Sequence, residues 1–102
     1  MPSTVQQSDS VIASLCREAA AIRARSRQLV DTMETCGHQG LLERLAAELR
    51  WLQRRRQELQ AMARGWQRRG VADPLALAFL LELASRPLAA AGPGAWGMAH
   101  SG

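Results

Sequence analysis

The sequence predicts an all-α fold: a long antiparallel helical hairpin, coiled-coil-like, with a short apolar third helix and a flexible C-terminal tail. Three observations predict it. Apolar residues recur at alternating steps of three and four through residues 12–36 and again through residues 42–66, the period of one helix face. Only Gly37, His38, Gln39 and Gly40 separate the two runs, and connections so short join antiparallel neighbours. An Asp73-Pro74 pair then opens a third run, apolar almost throughout, that stops at Pro87.

The first helix is expected over residues 9–36. Residues 1–8 are polar and read as disordered, and Ser8, Asp9 and Ser10 all suit an N-cap. Ile12, Leu15, Ala19, Ile22, Ser26, Leu29, Met33 and Cys36 then keep one seam without a break. Gly37 is the expected left-handed C-cap. His38, near that helix end, is expected to act there as a capping cation.

The second helix is expected over residues 39–69. Its seam is Leu42, Leu45, Leu49, Leu52, Leu59, Ala63 and Trp66, with Arg56 at the one charged step. Gly65 weakens the helix and Gly70 is the better stop. Folding the chain at the link sets Leu29 opposite Leu49 and Leu15 opposite Ala63. Arg56 falls among apolar groups, so it either snorkels past the seam edge or meets Glu18. Arg44/Glu48 and Arg54/Glu58 have the four-residue spacing of helix ion pairs.

The third helix is expected over residues 74–86. Asp73 caps it, Pro74 takes its first position, and Glu82 and Arg86 stand four apart as an ion pair. A helix apolar on nearly every side must be buried on more than one. The three helices form a single domain over residues 9–86, and residues 87–102 read as a flexible tail rich in Ala, Gly and Pro. Val11, Cys16, Val30, Leu41 and Trp51 lie off the seams and are apolar, so the sticky surface exceeds what one hairpin covers.

Composition narrows the function. All thirteen basic residues are Arg, the net charge is +4, and there is no Lys, which removes lysine chemistry. No basic and apolar leader opens the chain, no run is long enough to span a bilayer, and two cysteines without a leader fit a reducing cytoplasm. Gly92, Gly94 and Gly97 spell a G-x-G-x-x-G, but Pro93 interrupts it and neither strand nor helix flanks it. Cys16, Cys36, His38 and His100 are not expected to share a metal within one chain: the two cysteines, twenty residues apart on one helix, stand about 30 Å apart, which leaves only a site between two antiparallel copies. The cysteines read as small buried apolar residues. No nucleophile, base or carboxylate pair has motif context, so an enzyme, a metal and a cofactor are not expected.

What remains is binding. The expected function is that of a non-enzymatic protein-binding module, an adaptor, chaperone or assembly subunit acting by helix packing on another protein or a second copy. Trp51, Phe79, Leu80 and Leu83 are the expected apolar anchors. The alternative is a dimeric nucleic-acid-binding bundle that uses the arginine face of the second helix. Arg50, Arg54, Arg64 and Arg68 carry that face, with Arg55 and Arg69 beside them.

Overall fold

The computed structural model of the chain describes residues 4–89, with side chains from residue 11 onward. It consists of three helices: α1 (Thr4–Thr35), α2 (Gln39–Arg69) and α3 (Pro74–Ser85). No strand occurs among the described residues. None of the helices is long and apolar enough to cross a membrane. The body measures 57 × 23 × 16 Å.

α1 starts at Thr4, ahead of the expected caps at Ser8 to Ser10. Nothing in residues 4–8 breaks a helix. Once downstream turns are nucleated, adding a residue costs little, so the helix extends back through them. The expected flexible tail, with its glycine motif, lies outside the described residues from Ala90 on. Its beginning is corrected: Leu88 is buried in the core.

The core follows the seam of α1 closely. Ile12, Leu15, Ala19, Ile22, Ser26, Leu29 and Met33 are all buried. Ser26 enters because its hydroxyl donates to the Arg23 carbonyl at 2.7 Å, which satisfies it within its own helix. From α2 come Leu52, Leu59 and Ala63, and from α3 Leu77, Leu80 and Ala84. α3 packs against both long helices. It is 12 residues long against 32 and 31 for α1 and α2, so it covers under half of their length. Leu42, Leu45 and Leu49, earlier in α2, stay only half-buried.

Two turns set the chain's direction. Gly70 ends α2 with φ at 85°, and its N–H bonds the Trp66 carbonyl at 2.8 Å. That conformation suits only glycine. Gly37 departs from the expected left-handed cap: among the described glycines only Gly70 has positive φ. α1 instead closes with a tight last turn, Cys36 N–H to the Met33 carbonyl at 3.3 Å. His38 is corrected too. It occupies the N-cap position of α2 with no side-chain cap bond, at the end where a helix dipole disfavours a cation.

Asp73 caps α3 by accepting from the Ala76 N–H at 3.0 Å, with Pro74 in the first turn. The other end of α3 is held differently. The last carbonyls of a helix have no partner of their own. Here two arginines supply them. Arg23 of α1 donates to the Leu83, Arg86 and Pro87 carbonyls at 3.0, 2.8 and 3.2 Å. Arg56 of α2 donates to the Ala84 carbonyl at 2.6 Å and to Gln53 Oε1 at 2.8 Å.

This settles the seam charge. Arg56 is 7% exposed, so it does not snorkel, and Glu18 does not reach it. The negative end of the α3 dipole and a bare carbonyl compensate the guanidinium. Burial lowers the pKa of the Arg23 guanidinium, with Arg86, Arg27 and Arg56 adding repulsion. Glu18 pairs instead with Arg55, at 2.6 and 3.0 Å.

Candidate partner-binding surfaces

α3 has one face turned inward and one turned outward. Leu77, Leu80 and Ala84, at helical spacing, point into the core. Leu75 and Phe79, one turn apart on the other side, point out. They are 80% and 56% exposed, the first being the most exposed large apolar residue described. With Asp73, Ala76 and Ala78 they line a shallow apolar depression at the start of α3. Singly exposed apolar residues are ordinary, but a contiguous pair on a short helix is less so.

Of the four expected anchors, two fit a surface role. Phe79 sits in this depression. Trp51, 57% exposed, lies on α2 beside Arg54, Arg55 and Glu58. Leu83 is half-buried against the core. Leu80 is corrected: it is 0% exposed and belongs to the interior. The structure does not bring Trp51 and Phe79 together, since each lines its own depression on its own helix.

The sequence pattern does not distinguish Leu75 from its neighbours. In a helix where nearly every residue is apolar, periodicity cannot tell the inner face from the outer. The only signal was negative: Glu82, seven residues after Leu75, lies on the same side and must face water.

The thirteen arginines sort into three kinds. Arg23 and Arg56 hold the end of α3. Arg25, Arg55 and Arg86 form ion pairs: Arg25 with Glu48 at 2.7 Å, Arg55 with Glu18 and Glu58 at 2.6 and 3.0 Å, Arg86 with Glu82 at 3.3 Å. The hydrogen bonds from Arg55 and Arg25 hold the Glu18 and Glu48 carboxyls below the usual range. Glu18 and Glu58 in turn raise the already high pKa of Arg55.

These pairs correct two expectations about α2. Glu48 turns to Arg25 across the helix interface, not to Arg44. Glu58 turns to Arg55, not to Arg54. For Glu48, a bidentate guanidinium across the interface outcompetes a single contact along an exposed helix; Glu58 makes one contact, to Arg55 three residues before it on its own helix. Arg55 therefore leaves the cationic face. The other eight, Arg50, Arg54, Arg64 and Arg68 on the expected face together with Arg17, Arg27, Arg44 and Arg69, are exposed and have no ion pair among the described residues.

No family model matches the chain, and neither a curated protein nor a solved structure matches it.

No group of three His, Cys, Asp or Glu among the described residues could hold a metal ion. Cys16 and Cys36 are free and half-buried. The Cys16 thiol lies 3.6 Å from the Ala76 carbonyl, and burial raises its pKa, which leaves less thiolate for chemistry.

Proposed function

We propose that the protein is a non-enzymatic binding module that docks a helix of another protein on the outward face of α3. The observation that carries this is the pair Leu75 and Phe79, exposed one turn apart around a shallow apolar depression. Burying both would contribute about 3–5 kcal/mol of hydrophobic free energy before the costs of association. An amphipathic helix with anchors at the same spacing complements such a face.

In this reading the rest of the chain is a scaffold. α1 and α2 form an antiparallel, coiled-coil-like hairpin. The cross-helix ion pairs Arg25–Glu48 and Glu18–Arg55 support this arrangement, because residue numbers rise along α1 as they fall along α2. α3 lies on that scaffold with its inner face in the seam and its outer face free. Adaptors, chaperones and assembly subunits work in this way, and the partner is another protein or a second copy of this chain.

The test is a purification of partners at high salt after nuclease treatment, run in parallel with wild type and a Leu75→Ser/Phe79→Ser variant. A protein retained by the wild type and lost by the variant supports the reading. Equal retention by both, with the variant folded, refutes it.

A further inference from the structure

We infer that the outer face of α2 is a separate binding surface for the phosphate backbone of duplex nucleic acid. Residues 50, 54, 57, 61, 64 and 68 follow each other at steps of four and three. They form one line along the helix: Arg50, Arg54, Gln57, Ala61, Arg64 and Arg68. The line contains no acid. Residues 44–69 hold only two, Glu48 and Glu58, and both are drawn off to Arg25 and Arg55. Glu48 turns toward α1 through Arg25, Glu58 stays exposed and is bonded by Arg55 on α2 itself, and Glu43 stands exposed seven residues before Arg50, so the acid-free part of the line is residues 50–68.

The spacing favours a duplex over an acidic peptide. Arg50 and Arg54 make one pair and Arg64 and Arg68 another, with ten residues, about 15 Å, between Arg54 and Arg64. The major groove is about 12 Å wide, so the two pairs can grip the strands on either side of it. Guanidinium groups bind phosphate bidentately. A peptide would have to present carboxylates at the same broken interval, whereas phosphates recur along each strand.

The body's cross-section of 23 × 16 Å exceeds the groove width, so α2 lies over the groove and not in it. The contacts are to phosphates, which carry no sequence information. This surface is on α2 and the apolar pair is on α3, so either can fail without the other.

The experiment is fluorescence anisotropy of the full chain with a labelled duplex of random sequence, titrated at several salt concentrations. Four phosphate contacts give a slope of log K on log salt of about −3.6, or roughly a 150-fold loss between 50 and 200 mM. Arg50→Gln/Arg68→Gln should bring the slope to about −1.8. An Arg17→Gln/Arg27→Gln control removes the same charge from exposed positions of α1 and should leave the slope unchanged. Equal effects of the two double variants would overturn the proposal, since net charge alone would then explain binding. So would polyglutamate competing as well as the duplex, tighter binding of a single strand, or no binding at 50 mM salt. Circular dichroism of each variant checks that the helices persist.

Discussion

Replacing Arg56 with Met separates the charge from the stem. Met keeps an unbranched apolar chain along the seam but cannot donate. The Ala84 carbonyl then loses its 2.6 Å partner in a place where Ala84 itself is fully buried. A hydrogen bond from a charged donor contributes about 1.5–3 kcal/mol, and an orphaned buried acceptor costs a similar amount. Removing the guanidinium also relieves a desolvation cost, which offsets part of the loss. The expected net effect is a destabilisation of about 2 kcal/mol. With a urea m-value of about 2 kcal/mol per molar, the midpoint should fall by about 1 M. The assay is equilibrium urea unfolding followed by circular dichroism, with hydrogen exchange at Leu80 to Ser85 as the local readout. Arg23→Met should couple with it in a double-mutant cycle, because both arginines hold the same helix end. A variant as stable as wild type, with α3 amides equally protected, would refute the account of the seam charge.

Other perturbations have expected outcomes of their own. The folded Glu18 carboxyl titrates below its ordinary value because Arg55 bonds it. Its contribution is therefore fully present above about pH 4.3, the unfolded value, and is lost as pH falls through the folded pKa. Glu18→Gln should flatten that acid limb in urea midpoints measured from pH 6 to pH 2. Gly70→Ala should destabilise by about 1–3 kcal/mol by thermal melting, because the strain is in the backbone and the space around Gly70 is open. Gly65→Ala should instead stabilise by about 1 kcal/mol, its new methyl meeting only the Arg69 guanidinium at 3.9 Å. Leu80→Ala should cost about 2–5 kcal/mol, while Phe79→Ser should stay within about 0.5 kcal/mol. Calorimetry on the pair distinguishes the inner from the outer face of α3.

The three helices and their stops were legible because they rest on local signals. Seven of the eight seam positions of α1 are buried, and Gly70, Asp73 and Pro74 do what their backbone preferences dictate. Arg56 finds its partner in a main-chain carbonyl 28 residues away, and carbonyls are the same in every residue type, so no spacing rule points to them. Glu48 and Glu58 each had an arginine four residues off along the helix, yet chose Arg25 and Arg55. For Glu48, local pairing rules rank partners within one helix and are silent about a neighbour; Glu58 takes Arg55, three residues off on its own helix, over Arg54 four off. Leu80 reads from the sequence as a surface anchor because α3 is apolar on all sides, and the structure buries it. Which side faces inward depends on how Arg23, Arg56 and Cys16 dock it.

The clamp on α3 has a consequence for synthesis on the ribosome. While only α1 and α2 have emerged, the seam contains a guanidinium with no acceptor beyond Gln53, and Leu59 and Ala63 lack the α3 side chains that share their core. An early pairing of the two long helices must therefore leave Arg56 wet or bury it at a cost of several kcal/mol. The carbonyl that answers it, that of Ala84, comes 28 residues later in the chain. Emergence of residues 83–87, not completion of α2, is the point at which a nascent chain can close its core. Chains stalled on C-terminal linkers of two lengths, one holding residues 83–87 inside the exit tunnel and one clear of it, should differ sharply in protease resistance.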